Sequence, residues 1–337
     1  SRQTERGQPQ ADNNYAVGTG NLYTLPALPA DATFGDPYTN RTERSTEVFA
    51  YDHMAWSPTF STWMGLRHSR IGRDSVRTDG SRATSYTQRF TTPWLALAWQ
   101  FRPDYTVYAS TGQGIESDVA PGRSRYTNAG QPLAPLKSKQ WELGVKSANA
   151  NGQAAATLFG ITRPHAGDAG TCDVAGSCTR QMDGDDRHTG LELSTQRRVG
   201  PFTLDASAMW LSAQRRNSTI APELNGQRPT NVPTRVVRLG LGYAISAVPG
   251  LSVQTLVSHE GRRNVLPDGS LQLPAWTKVD LGLKYQTKLA GQAATWRLGV
   301  QNAFNRRFFK ESPYQYSHIY LFPAAPRTVV LSLEAGF

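Results

Sequence analysis

Arg327-Thr-Val-Val-Leu-Ser-Leu-Glu-Ala-Gly-Phe337 closes the chain in strict alternation and ends on an aromatic residue. Val329, Leu331, Leu333, Ala335 and Phe337 fall on one side of an extended backbone. Thr328, Val330, Ser332, Glu334 and Gly336, mostly polar or small, fall on the other. A strand repeats its side-chain direction every second residue, so the segment has one greasy face and one wet face. The same pattern recurs in about a dozen segments of a chain that is hydrophilic on average, with a mean hydropathy of -0.49. Greasy faces on a hydrophilic chain fit a sheet closed into a membrane barrel, with lipid against one face and a hydrated lumen against the other.

Facing can be read strand by strand. Phe202, Leu204, Ala206, Ala208 and Trp210 oppose Thr203, Asp205, Ser207, Met209 and Leu211. Thr277, Val279, Leu281, Leu283 and Tyr285 oppose Lys278, Asp280, Gly282, Lys284 and Gln286. Ala294, Trp296, Leu298 and Val300 oppose Thr295, Arg297, Gly299 and Gln301. Lys, Asp and Arg alternating with Leu need a hydrated interior, because a dry core would strand the charges. Only the facing of 46–56 is unclear.

The segments pair into hairpins with unequal connections. Short turns rich in Pro, Gly, Asn or Asp join 46–56 to 59–70, 87–101 to 105–112, 138–148 to 153–163, 187–198 to 202–213, 234–246 to 251–260 and 275–287 to 293–304. The intervening connections, 71–86, 113–137, 164–186, 214–233, 261–274 and 305–326, are longer. Short turns on one side and long loops on the other match a bacterial outer-membrane barrel, with short turns in the periplasm and long loops outside the cell. A β-propeller repeats over a similar length but needs four short strands where this chain offers two long ones.

Bulk properties narrow the function. With 337 residues, 38% of them hydrophobic, the chain has no apolar run long enough for a spanning helix. The formal net charge is +10, but no run of consecutive Lys and Arg marks a nucleic-acid site. Cys172 and Cys178 share one Gly/Asp/Ser-rich loop without a nearby His pair, which favours a loop-closing disulfide over zinc and implies an oxidising compartment. Asp183-Gly-Asp-Asp186 lacks the ligand spacing of a calcium loop and reads as a solvated turn. The six histidines are scattered, and no Gly-x-Ser-x-Gly, phosphate-cradling glycine loop or His-Glu-x-x-His is present, so neither an enzyme nor a resident metal is expected.

About thirteen strands are counted, whereas single-chain bacterial barrels normally have an even number. Residues 1–45 are therefore expected to be an extracellular loop segment and 46–337 the C-terminal portion of a barrel, with an odd number of strands missing from the front.

Several motifs carry a resemblance. Tyr105-Thr-Val-Tyr-Ala-Ser110, Leu133-Ala-Pro-Leu-Lys-Ser138 and Gln140-Trp-Glu-Leu-Gly-Val-Lys146 resemble the mid-barrel of TonB-dependent siderophore receptors. Asn231-Val-Pro233, Val248-Pro-Gly-Leu251, Leu273-Pro-Ala-Trp-Thr-Lys-Val-Asp280, Val300-Gln-Asn-Ala-Phe-Asn305 and Pro326-Arg-Thr-Val-Val-Leu331 follow the later barrel in order. The resemblance implies the last thirteen or so strands of a 22-stranded antiparallel transmembrane barrel, without the family's plug domain and TonB box. It implies uptake of ferric siderophore across the outer membrane of a Gram-negative bacterium, energised by the TonB-ExbB-ExbD complex. A passive porin-like channel is the alternative. Iron would arrive only inside its chelate, of hydroxamate or mixed type, and no other cofactor is implied. The Phe-Arg-Ala-Pro and Asn-Pro-Asn-Leu pair of heme receptors does not occur.

Family-implied ligand residues are aromatics and cations on the long loops: Arg123, Arg125, Tyr126, Arg215, Arg216, Arg262, Arg263, Tyr314, Tyr316, His318 and Tyr320. The same residues could instead form an interfacial girdle or meet lipid and lipopolysaccharide phosphates. Phe337 resembles the terminal aromatic signal read by the barrel assembly machinery.

Overall fold

The computed structural model describes residues 2–6, 38–315 and 318–336. Most of the expected 1–45 loop segment, Tyr316 and Phe337 lie outside the described residues. The described residues form twenty strands: β1 Arg2–Glu5, β2 Thr39–Ala55, β3 Phe60–Arg77, β4 Thr84–Arg102, β5 Tyr105–Glu116, β6 Leu136–Asn149 and β7 Gly152–Gly170. There follow β8 Cys178–Val199, β9 Phe202–Arg216, β10 Arg235–Ala244, β11 Leu251–Glu260, β12 Arg263–Asn264, β13 Gln272–Leu273, β14 Trp276–Leu289 and β15 Gln292–Gln301. The last are β16 Phe309–Glu311, β17 Tyr314–Gln315, β18 His318–Ile319, β19 Phe322–Pro323 and β20 Thr328–Ala335. Fourteen form a single antiparallel meander, β1 to β11 followed by β14, β15 and β20; the remaining six pair as miniature hairpins inside the loops.

Register confirms the two faces. Leu281, Leu283 and Tyr285 sit opposite Val300, Leu298 and Trp296, which sit opposite Val329, Leu331 and Leu333 on β20. On the other face Arg297 reaches Glu334 at 2.8 Å and Lys278 reaches Asp280 at 2.8 Å. The greasy rows meet no second layer of protein: Val329 is 63% exposed and Leu331 66%. Among the described residues the largest fully buried side chains are Val265, Asn302, Cys178, Ser69 and Ser312, mostly small or polar and mostly at the long-loop end. A sheet with bare Leu and Val rows needs hydrocarbon against it. Among the described residues no helix is long and apolar enough to cross a membrane.

The aromatic residues of 46–56 explain its blurred pattern. Val48 and Ala50 share the outer face with Met64 and Leu66, while Tyr51 and His53 lie on the lumen face with Trp63, on which His53 stacks at 4.5 Å.

Strand ends differ from expectation in one consistent way. The expected loop 71–86 shrinks to 78–83, and 164–186 shrinks to 171–177, because β3, β4, β7 and β8 run on past their greasy stretches. β2 likewise starts at Thr39, and Arg2–Glu5 pairs with Arg41–Arg44, so the expected loop segment 1–45 contains strand at both ends and the sheet has a fourteenth strand. Above the hydrocarbon both faces are wet. Alternation disappears there, yet the ladder continues, tied by cross-strand pairs such as Arg73 Nε to Glu43 at 2.6 Å.

Candidate functional site

At the long-loop end, three lumen-facing residues form a cross-strand row. Arg163 on β7 lies opposite Asp186 on β8, which lies opposite Arg215 on β9. Parity puts all three on the face that carries Thr157, Glu192 and Asp205 lower in the same strands. Arg163 donates from Nε and Nη2 to Glu116 at 2.8 and 2.5 Å. Arg215 hydrogen-bonds His165 Nε2 and lies 3.9 Å from Asp186. Burial, and then the charge of Arg215, pull the pKa of His165 below its usual value, and its Nδ1 lies 3.7 Å from Asp186 Oδ2.

Loops roof this row. Gln227, Arg228, Pro229 and Thr230 come from 217–234, Pro267 from 261–275, and Tyr314 from 302–327; together they enclose a cavity of about 380 Å³. That volume suits a small-molecule site. The roof is held by polar networks rather than by apolar packing. Asp183 is buried and accepts from Thr219 N at 2.7 Å, Ile220 N at 3.1 Å, Thr219 Oγ1 at 3.2 Å and Ser218 Oγ. These donors, and not burial, hold its carboxyl below the usual carboxylate range. Asn231, in the left-handed region at φ 59°, joins three loops: its N–H reaches Asn264 O, while its Oδ1 accepts from Arg263 Nη1 at 2.9 Å and Ser312 N at 3.0 Å.

A second, more apolar cavity of about 780 Å³ adjoins Trp276, Phe308, Phe309, Arg306 and Arg307, with Trp276 stacked on Phe308 at 4.5 Å.

Of the sequence-predicted residues, the structure brings Arg215 and Tyr314 into the first cavity. Arg216 points to the opposite face from Arg215, as neighbours on a strand must. Arg263 is buried against Glu260 and Asn231, whereas Arg262 is exposed. Tyr126 is buried, donates to Asp168 at 2.8 Å and carries the ring of Arg125's cation contact, so it pins the 117–135 loop to the β7–β8 hairpin. Arg123, His318 and Tyr320 are exposed. Cys172 and Cys178 are bonded to each other at the tip of that hairpin. Asp183-Gly-Asp-Asp186 is strand and not a solvated turn, and its three carboxylates serve three different partners: the backbone N–H groups and hydroxyls of 218–220, Asn217 and Arg215. Sequence reading missed Arg163, His165, Asp186 and Arg228. Extending the parity of β7 and β8 through the expected 164–186 loop would have found the first three.

The chain matches the family described as TonB dependent receptor-like, beta-barrel, over residues 3–303. It is 31% identical to the ferrichrome receptor FcuA of Yersinia enterocolitica over 211 residues, covering 62% of this chain and 27% of that protein. It is 24% identical to the ferrichrome outer membrane transporter/phage receptor of Escherichia coli K12 over 274 residues, covering 79% and 35%. It thus spans about a third of the length of these curated relatives. Among solved structures, BauA, the ferric preacinetobactin receptor from Acinetobacter baumannii, superposes with a TM-score of 0.79 at 24% identity over 94% of this chain and 46% of that one. The ferric yersiniabactin uptake receptor FyuA from Yersinia pestis gives 0.70 at 18% over 89% and 46%. At these identities the structural likeness establishes the fold alone.

Proposed function

The chain belongs to the TonB-dependent receptor β-barrel family, and on that premise we propose that it is the barrel wall and extracellular mouth of an outer-membrane receptor for ferric siderophore, with uptake energised through TonB. The observation that carries the reading is the guanidinium-lined cavity on the hydrated face, roofed by three long loops that one asparagine joins together. Such a cavity holds a small polar guest where it would enter the lumen. Arg163, Arg215, Arg228 and Tyr314 are the contacts we assign to it. Two relatives are named as ferrichrome receptor or transporter, which supports a chelate of ferric iron as the guest class.

Growth rescue under iron limitation tests the assignment. Cells that depend on the full-length receptor are expected to grow on at least one ferric chelate from a panel and to stop when TonB is deleted. Rescue that persists without TonB, or steady ion conductance of the intact protein in planar bilayers, would establish the porin-like alternative instead. If no chelate rescues growth, the iron assignment falls.

A further inference from the structure

Asp186 is buried at the first cavity, yet its Oδ1 accepts no hydrogen bond among the described residues. The two basic groups beside it, His165 Nδ1 and Arg215 Nε, stand off at 3.7 and 3.9 Å. His165 comes there through a β-bulge. Pro164 pairs with Asp185 and Ala166 with Met182, so His165 of β7 faces both Asp183 and Gly184 of β8. Gly184 supplies the left-handed residue at φ 74°, and bulges re-aim the side chains around them. Here the imidazole comes to rest between a cation and an anion. A guanidinium only donates, so the hydrogen bond from Arg215 Nη2 to His165 Nε2 stands only while that nitrogen carries no proton. Charging the ring ends that bond and offers Asp186 a charged donor instead. Arg215 is also tied to the roof by its backbone: its N–H donates to Gln227 O at 2.9 Å and its C=O accepts from Gly226 N at 2.8 Å. A change of partner by its side chain is therefore felt in 217–234.

We propose that His165 is an acid-sensitive latch: neutral, it anchors Arg215 beneath the roof; protonated, it pairs with Asp186, releases the Arg215 guanidinium and loosens the 217–234 loop above. The charges around the ring set when this happens. Arg163 on β7, Arg180, Asp183 and Asp186 on β8 and Arg215 on β9 surround it, and Arg228 and Tyr314 line the same cavity from the roof. Arg163 is already matched by Glu116 of β5. Burial and the Arg215 charge disfavour the charged ring more than Asp186 and Asp183 favour it. The neutral-ring arrangement is thus complete above the usual histidine pKa and is lost as pH falls through the lowered one. His188, two residues along β8 from Asp186, is also held down by burial and serves as the control. The latch needs no guest. Only its consequence, a cavity that opens in acid surroundings, rests on the ferric-chelate reading above.

The test uses the full-length receptor in lipid bilayers with no chelate added. Backbone hydrogen exchange is followed from about pH 8 down to about pH 4.5, a span that covers histidine titration, with each rate divided by the intrinsic rate at that pH. Exchange of the Arg215, Gly226 and Gln227 amides is expected to rise by about tenfold or more as the pH falls, the size of one lost hydrogen bond to a charged group. The 117–135 loop should stay within about twofold. H165Q, whose amide oxygen accepts from Arg215 at any pH, should abolish the rise, and H188Q should keep it. Exchange at the ring carbon between the two imidazole nitrogens reads the titration itself: R215Q should move the His165 midpoint up, and D186N should move it down. Amide exchange that changes by less than about twofold across the series, a rise that survives H165Q, or a His165 midpoint that neither variant moves overturns the latch. None of these results touches growth rescue on a ferric chelate, which tests the uptake reading separately.

Discussion

The belt of the sheet and its long-loop end are stabilised by opposite means. In the belt, Leu281, Leu298 and Leu331 stand in rows with no protein above them. At the loop end, Asp183, Arg263 and Asn302 are buried and each is met by hydrogen bonds. The belt depends on a solvent, hydrocarbon, and on the self-satisfied backbone ladder that hydrocarbon demands. The loop end depends on specific partners. One region should therefore tolerate any apolar side chain and reject charge; the other should tolerate few changes of shape and resist generic apolar replacement.

Four tests probe that contrast, from the largest expected effect to the smallest. Leu331→Arg places a charge mid-strand on the lipid face and should cost about 2–4 kcal/mol, whereas Ser332→Arg, its neighbour on the lumen face, should cost under about 1 kcal/mol. Urea titration of the protein in bilayers measures both, and equal costs would break the two-face assignment. Asp183→Ala leaves four donors of the 217–234 loop without their acceptor and should lower the local opening energy there by about 2–3 kcal/mol. Hydrogen exchange over 217–225 should rise while exchange in β10 stays put. Cys172→Ser with Cys178→Ser opens a link across a sequence separation of 6 and should cost about 2 kcal/mol by loop entropy, confined to the β7–β8 tip and readable as faster proteolysis of the hairpin tip. Arg297→Gln removes the pair with Glu334, whose side chain is 72% exposed, and should cost under about 1 kcal/mol; a larger loss would mean the lumen wall is drier than its side chains imply.

The same contrast decides what the sequence could show. Alternation is visible only where one face meets hydrocarbon, so β9, β14, β15 and β20 were legible to within about three residues at each end. Higher up, Arg163-Pro-His165 and Asp183–Asp186 carry no apolar face and include Pro and Gly, so strand there looks like loop. Arg215 and Arg216, read together as loop residues, part to opposite faces only because β9 runs on to Arg216. The row Arg163–Asp186–Arg215 needed registers across β7, β8 and β9, which hydrogen-bond pairing sets and hydropathy does not reveal. Arg228 and Tyr314 reach that row through loop folds stitched by Asp183 and Asn231. Contacts so distant in the chain leave no local pattern to read.

Asn231 ties 217–234, 261–275 and 302–327 together with one side chain and one N–H. A change of length in any one of those three segments would therefore pull on the other two. Any insertion in one must keep the hub in reach of the other two, while positions that hang from it, Arg228 among them, are free to change. Redesign of the cavity lining is thereby funnelled into a few ceiling residues, with the frame that carries them left standing.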